Sequence, residues 1–190
     1  MPTVTCMPRR HALAVVPLIV LVAALVGCSG ETRIPPPEPS SAVEPLFSSD
    51  EEALEAATAA YEEYLAVVDA LLQDPTADDS SLMTVALSNA LIEASDSIAT
   101  FVDRGLRFVG QRELVKVELK EVDVFHSNTQ IHLYVCESVA GVDVLGPDGA
   151  SVVEPTRPEL TAFEVQVMAS EEALRVVERV VWVDQQYCSQ

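Results

Sequence analysis

The sequence predicts an α+β fold, in which two or three N-terminal helices pack on a curved antiparallel sheet that forms a cone or roll. Apolar residues recur every three or four positions as far as Gly105, and from Leu106 onward they recur at every second position. Helical periodicity followed by strand periodicity is typical of α+β proteins. Among the 190 residues, 49% are hydrophobic and 22% are charged, which is the composition of a folded chain. We therefore expect a single α+β domain over residues 50–190.

Residues 1–27 have the pattern of an export signal. A short basic segment, Arg9 to His11, precedes an apolar run from Ala12 to Val26. This run is shorter than the roughly 20 residues that a transmembrane helix needs, and it matches the apolar part of a secretory signal. It ends in Leu25-Val26-Gly27-Cys28, which resembles the lipobox of bacterial lipoproteins. The resemblance implies that Cys28 carries the lipid, palmitate among its acyl chains, and becomes the new N-terminus.

Residues 28–49 are expected to be a disordered tether. Their composition cannot build a core, and it favours an extended polyproline geometry. The prolines of this segment are Pro35, Pro36, Pro37, Pro39 and Pro45.

The charge of the chain restricts its partners. The formal net charge is −19, and all 30 acidic residues follow the signal segment. Such a surface repels nucleic acid, which we exclude as a partner, and it gives no electrostatic help in holding the protein on anionic lipids. The expected location is the extracytoplasmic face of the cell membrane. The expected partners are the membrane, through the lipid anchor, and a small molecule or a protein of the cell envelope.

The first predicted helix begins at Ser49 or Asp50 and ends near Gln73. Ser and Asp are good N-cap residues, and acidic side chains stabilise the first helical turn. Its apolar stripe is formed by Leu54, Ala57, Tyr61, Tyr64, Leu65, Val68, Leu71 and Leu72.

A second helical region is predicted from about Asp79 to Gly105, where the glycine favours helix termination. Ser88-Asn89 interrupts its apolar pattern, as either a break or a kink.

The next segment predicts a bulged β-hairpin. Apolar residues alternate up to Leu119 and continue on the opposite parity from Val122, which one extra residue near Lys120-Glu121 explains. A turn at Ser127-Asn128 would then place Val124 opposite Ile131, Val122 opposite Leu133 and Leu119 opposite Val135. Further strands are predicted at Val142–Leu145, Ser151–Val153, Thr161–Ala169 and Leu174–Val183.

Two cysteines are available for a disulfide. Cys6 lies in the signal and Cys28 is expected to carry lipid, which leaves Cys136 and Cys188. Two thiols outside the cytoplasm favour a disulfide between them.

The order of two or three helices, a long bulged hairpin and further antiparallel strands resembles the nuclear transport factor 2-like, or cystatin-like, roll. The lipobox, the Pro-rich segment, the Tyr61-Glu62-Glu63-Tyr64 helix, the Cys136 strand and the Trp182–Cys188 terminus are similar to secreted lipoproteins of high-GC Gram-positive bacteria. The resemblance implies a pocket between helix and sheet. Isomerases and cyclases of this fold use an Asp or His beside a Tyr, for which the candidates here are Tyr61, Asp103, His126 and His132.

We interpret these residues as mainly structural. The predicted register places His132 opposite Asp123, and such pairs ordinarily stabilise sheets. Tyr61 and Tyr64 lie on an apolar stripe, where tyrosine usually packs in the core with its hydroxyl at the rim.

No metal site and no cofactor are predicted. The sequence has no phosphate-loop or dinucleotide motif, and no loop has the ligand spacing of a calcium site. The acidic residues Glu51, Glu52, Glu62, Glu63 and Asp69 are expected to form a solvated face.

The predicted function is that of a non-enzymatic binding or accessory module. The alternatives are an isomerase-like or cyclase-like enzyme that uses His126 or Asp103 with Tyr61, and a carrier of a small apolar ligand.

Overall fold

The computed structural model describes residues 46–125 and 128–189. The predicted signal, Cys28 with its expected lipid, most of the predicted tether and His126 lie outside these residues. Within the described ranges, no helix is both long enough and apolar enough to cross a membrane. The helices are α1 (Asp50–Gln73), α2 (Leu82–Val85) and α3 (Ser88–Arg104), and the strands are β1 (Arg107–Val109), β2 (Glu113–Phe125), β3 (Asn128–Ser138), β4 (Asp143–Leu145), β5 (Leu160–Ala169) and β6 (Leu174–Val181).

Helix α1 begins where the sequence predicts. The side chain of Ser49 is the N-cap and accepts a hydrogen bond from the backbone N–H of Glu52, at 3.2 Å. The carboxylate of Glu52 in turn accepts one from the backbone N–H of Ser48, at 2.7 Å. These reciprocal bonds satisfy donors that the helix itself leaves unpaired, so they set the start of α1.

The second helical region is broken into α2 and α3. Between them the chain is extended, because Ala86 pairs with Val176 of β6 and the N–H of Leu87 donates to the carbonyl of Val176 at 2.8 Å. Ser88 then takes a positive φ of 50°. Helix α3 ends at Gly105, whose φ of 63° is the left-handed conformation that glycine adopts without strain.

The strands form an antiparallel four-stranded sheet in the order β2-β3-β5-β6, and β1 pairs with β4 in a separate two-stranded sheet. One face of the larger sheet, called here the inner face, packs against α1, α2 and α3 in the main hydrophobic cluster. The architecture is therefore α+β, as the sequence predicts. The fully buried apolar residues on the inner face of the two central strands are Ile131, Leu133, Val135, Val165, Val167 and Ala169.

The hairpin register differs from the prediction by two residues. Val122 lies opposite Ile131, Leu119 opposite Leu133 and Val117 opposite Val135. The predicted bulge is present between Leu119 and Glu121, and a second one lies between Leu114 and Lys116. Phe125 pairs with Asn128, so the last pair lies one residue earlier on each strand than predicted, which shifts every partner by two. A shift of two preserves the alternation of faces, so the predicted inner face is correct although its pairs are wrong.

This register also corrects the predicted partner of His132. Glu121 of β2 lies directly opposite His132, whereas Asp123 lies opposite Gln130.

The C-terminal strands are close to those predicted, with two differences. Strand β6 ends at Val181 instead of Val183, and the predicted Ser151–Val153 strand is reduced to one bridge between Ser151 and Leu145.

The other face of the four-stranded sheet, called here the outer face, carries a second, smaller cluster. The sulfur atoms of Cys136 and Cys188 are at bonding distance there, with Cα atoms 5.4 Å apart, as a disulfide requires. The ring of Tyr134 stacks on that of Trp182 with centroids 3.9 Å apart, and Tyr187 packs beside them. The C-terminal segment is thereby held against the outer face of β3.

Candidate functional site

A buried polar network lies between α1 and the inner face of the sheet. Tyr61 comes from α1, Glu137 from β3 and Arg179 from β6. The tyrosine hydroxyl donates to Glu137 Oε1, and Arg179 Nε donates to the Tyr61 oxygen at 2.8 Å. Arg179 also binds both oxygens of Glu137, through Nε at 2.9 Å and a terminal nitrogen at 2.7 Å. The Tyr61–Glu137–Arg179 network thus ties one helix to two strands.

Its electrostatics favour a fixed protonation state. Burial raises the pKa of the Tyr61 hydroxyl well above its usual value, and the nearby guanidinium only partly offsets this. Burial acts to lower the pKa of Arg179, but Tyr61 and Glu137 outweigh it and raise that pKa. The guanidinium also lies 3.5 Å from the ring centroid of Phe163, where a cation is attracted by the ring face. At neutral pH the network therefore holds a neutral phenol and a permanent cation.

Glu137 and Arg179 are not among the residues predicted to form a site. A signal for Glu137 exists in the sequence, because its parity is that of Ile131, Leu133 and Val135 and its carboxylate therefore faces the core. For Arg179 the signal is weaker, since an irregularity between Gln166 and Val167 changes the register of β6. Arg179 pairs with the inner-face residue Val165, which only the sheet reveals.

The predicted site residues do not converge. Tyr61 lies on the inner side of the sheet with its hydroxyl fully enclosed, whereas a hydroxyl at the rim was expected. His132 lies on the outer face, because its parity along β3 is opposite to that of Glu137. Asp103 is exposed near the end of α3, and His126 is outside the described residues.

A second polar group, called here the outer-face cluster, consists of Glu121, Asp123 and His132. One ligand-type atom of each lies within 4.8 Å of those of the other two. His132 Nε2 is 3.6 Å from Asp123 Oδ2, which is within ion-pair range but too long for a hydrogen bond. The two acidic side chains are about half exposed, whereas the side chain of His132 is 10% exposed.

A third arrangement corrects the expectation that Asp69 belongs to a solvated face. Asp69 is buried, with 3% exposure, and pairs with Arg112 from the segment before β2. Its carboxylate accepts from the backbone N–H of Arg112 at 2.9 Å and from Nε at 2.7 Å. This pair fastens the C-terminal part of α1 to the start of the long hairpin.

Beside the Asp69–Arg112 pair lies an open groove of about 410 Å³, whose lining includes Glu62, Ala66 and Glu113. A second, mostly apolar groove of about 310 Å³ shares Ala66 and continues around α1 along Val67 and Ala70. We call the two together the α1 grooves. Both are open to solvent. Their lining combines aliphatic and acidic side chains, and in the first groove it also includes Gln111 and Arg112, whose charge is paired with Asp69.

Comparisons with known proteins show no relative by sequence. No protein-family model matches the chain, and no curated protein sequence is significantly similar to it. Among solved structures, the chain is similar to the intermembrane-space region of the chloroplast protein ARC6, with 16% identity and a TM-score of 0.46 over 67% of this chain and 95% of that chain. It is also similar to a de novo designed β-sheet protein, with 12% identity and a TM-score of 0.28 over 67% of this chain and 88% of that one. At these TM-scores neither likeness informs the function.

Proposed function

We propose that this chain is an exported protein, anchored by lipid on Cys28 to the extracytoplasmic face of the cell membrane, and that its α+β domain is a non-enzymatic binding module. Its partner is proposed to be a protein of the cell envelope. The anchor rests on the lipobox resemblance at Leu25 to Cys28.

The observation that carries the binding-module proposal is the enclosure of the Tyr61–Glu137–Arg179 network between α1 and the sheet. A catalytic pocket at this position would need free polar groups, and a carrier pocket would need room for its ligand. Instead, Tyr61 and Glu137 are 0% and 1% exposed, and their polar atoms bond to each other and to Arg179. A residue whose hydroxyl is enclosed and already bonded is poorly placed to act on a substrate.

The proposed contact surface is the pair of α1 grooves. Their floor is aliphatic around Ala66 and Val67, and Glu62, Glu63 and Glu113 provide acidic side chains along them. The net charge of the chain, −19, adds a long-range negative potential. A protein segment with apolar residues flanked by Lys or Arg complements this surface in both respects.

A photocrosslinking residue placed at the exposed Ala66 tests the contact in the full-length protein in its own membrane. The matched control is Ala99, an exposed alanine on α3. We expect a discrete protein adduct from position 66 only, which weakens when Glu62→Lys and Glu113→Lys reverse the charge of the groove. Glu171→Lys, at the exposed turn before β6, should leave it unchanged. Equal adducts from positions 66 and 99, or none from either, would contradict the proposal.

The anchor is tested separately by metabolic labelling with a palmitate analogue. Cys28→Ala should lose the label and leave the detergent phase, whereas Cys6→Ala, which changes the other N-terminal cysteine, should retain both. If Cys28→Ala still partitions into detergent, the chain is held at the membrane by another means. A small molecule that is retained by the full-length protein and lost in Tyr61→Phe would instead favour the carrier or enzyme alternatives.

A further inference from the structure

We propose that the outer-face cluster of Glu121, Asp123 and His132 is a binding site for one Zn²⁺ ion. The site goes beyond the proposed binding module, and it does not depend on the α1 grooves or on the lipid anchor. It lies on the opposite side of the sheet from the Tyr61–Glu137–Arg179 network.

The backbone brings the three side chains together from two strands. Glu121 lies directly opposite His132 across the β2–β3 pair, and Asp123 is the next outer-face residue along β2. Their ligand-type atoms are within 4.8 Å of one another. Ligands of one tetrahedral ion at about 2.0–2.2 Å lie closer together than this, so the ion would draw them inward. Both carboxylates are about half exposed and are free to rotate toward the imidazole.

The state of His132 is the independent observation that points to a ligand. The residue is 8% exposed, and both of its ring nitrogens are buried without a hydrogen-bond partner among the described residues. Buried polar atoms are nearly always paired, so an imidazole in this state calls for an explanation. Nε2 faces Asp123 at 3.6 Å, which is too long for a hydrogen bond and leaves room for an ion to be drawn between them.

The donor set favours zinc over the harder cations. An imidazole nitrogen with carboxylate oxygens suits Zn²⁺, whereas Ca²⁺ and Mg²⁺ take oxygen ligands and usually more of them. Three protein ligands leave at least one coordination position of the ion for water. Water can reach this position because the two carboxylates are exposed. The acidic surface of the chain also concentrates cations near the site.

One neighbouring charge opposes the ion. Lys120 Nζ lies 3.8 Å from a carboxylate oxygen of Glu121, but it is held more closely by Glu164 from β5. Removing this ammonium group should therefore tighten metal binding, provided that the site is the outer-face cluster. A generally acidic surface would respond equally to loss of any lysine.

The test is titration of the full-length chain in detergent with Zn²⁺ against a chromophoric chelator, repeated with Co²⁺ for its ligand-field spectrum. We expect one ion per chain. His132→Leu and Asp123→Asn should each weaken the affinity by at least about tenfold, as loss of groups in metal sites commonly does. Glu118→Gln, an exposed acid on the outer face of the same strand, is the matched control and should change it little. Lys120→Gln should tighten binding, and Lys116→Gln should not.

Three results would overturn the proposal. One is the absence of stoichiometric Zn²⁺ binding, which would leave Asp123 and His132 as an ordinary ion pair. Another is binding that His132→Leu leaves intact while Glu118→Gln weakens it, which would show a diffuse acidic surface. The third is displacement of Zn²⁺ by equimolar Ca²⁺, which would mean that oxygen ligands alone hold the ion. Circular dichroism of each variant establishes that the fold is retained.

Discussion

Two of the buried polar side chains of strand β3, those of Glu137 and His132, have contrasting surroundings. Glu137, on the inner face, is 1% exposed and bonds to Tyr61 and to Arg179. His132, on the outer face, is 8% exposed, and neither of its ring nitrogens has a hydrogen-bond partner among the described residues. Both lie in regular sheet on the same strand, so the difference comes from what packs against each face.

The contrast teaches that burial alone does not distinguish a structural group from a binding group. A buried polar side chain that makes all of its hydrogen bonds stabilises one particular packing. If one partner is removed, the other stays buried without a hydrogen bond, and the folded state bears the full cost of its desolvation. A buried side chain whose capacity is unfilled keeps that capacity for a ligand. The following predictions test the two faces against each other.

The largest effect is expected from Glu137→Gln on the inner face. The substitution leaves the Arg179 cation, whose side chain is 19% exposed, without its anion. This should lower the free energy of unfolding by about 3 kcal/mol, toward the lower end of the range for a fully buried pair. Urea denaturation measures this value. The double variant Glu137→Leu with Arg179→Met removes both charges and should lie closer to the wild type. If the double variant is as unstable as the single one, packing and not the unpaired charge is responsible.

The next largest effect is expected on the outer face, at Cys188→Ala. The bond between Cys136 and Cys188 would close a loop of 52 positions. Its loss should lower the free energy of unfolding by about 2–4 kcal/mol, mainly because the unfolded chain gains freedom. Wild-type protein unfolded in the presence of a reductant should match the variant. Equal stability of the oxidised wild type and Cys188→Ala would mean that the bond does not form.

Tyr61→Phe should have a smaller effect on the inner face. The ring is retained and Glu137 keeps its bonds to Arg179, so only the two hydrogen bonds of the hydroxyl are lost. This should lower the free energy of unfolding by about 1–2 kcal/mol, because Arg179 Nε still donates to Glu137. Tyr64 is the matched control, because its ring stacks on that of Tyr61 with centroids 5.8 Å apart and its hydroxyl has no hydrogen-bond partner in the described part of the chain. Tyr64→Phe should change stability by less than about 0.5 kcal/mol. Equal losses in both variants would argue against the network.

When metal is removed with a chelator, His132→Leu should change the free energy of unfolding in the opposite direction to the inner-face substitutions. Replacing an unpaired buried imidazole by an apolar side chain should be neutral or should raise the free energy of unfolding by up to about 1 kcal/mol. Thermal unfolding with and without Zn²⁺ measures the difference, and only the wild type should gain stability from the ion. A clear loss of stability in the metal-free variant would show that the imidazole has partners in the folded protein.

The smallest effect is expected from the titration of buried tyrosines, which should change the free energy of unfolding at alkaline pH and not at neutral pH. Burial, with a smaller contribution from Glu118, raises the pKa of Tyr187 on the outer face to about 12, and burial also raises the pKa values of Tyr61 and Tyr64. In the unfolded chain the pKa of a tyrosine hydroxyl is about 10. Above that pH the unfolded chain therefore loses these protons before the folded chain does. For Tyr187 the corresponding stability should be complete below pH about 10 and should be lost as the pH rises through about 12, whereas for Tyr61 and Tyr64 only the direction of the loss is expected to be the same. Thermal unfolding across this range, with phenolate absorbance, measures it, and Tyr187→Phe should flatten the outer-face contribution.

Much of the local structure could be predicted from the sequence. The cap at Ser49, the end of α3 at Gly105, the bulge near Lys120 and the inner-face identity of Ile131 and Leu133 all follow from neighbouring residues. Each depends on interactions within a few positions, such as a side chain that pairs with a nearby N–H or an alternation with period two.

The site residues could be predicted only in part. Tyr61 was recognised as a candidate, but the role of its hydroxyl depends on Glu137 and Arg179, which arrive from distant strands. The hairpin register was wrong by two residues, which preserves the faces and changes every cross-strand pair. The sequence predicts that Asp69 lies on a solvated face with other acidic residues of α1, whereas in the structure it is buried and paired with Arg112 from the segment before β2.

By itself, the sequence determined that helices precede strands, the face that most apolar residues present and the acidic character of the surface, because these depend on periodicity and composition. The tertiary structure alone decided which buried charges meet. Glu137 acquires its partners from α1 and β6. His132 acquires two carboxylates and, within the described residues, no hydrogen bond, since partners across elements are set by register and packing.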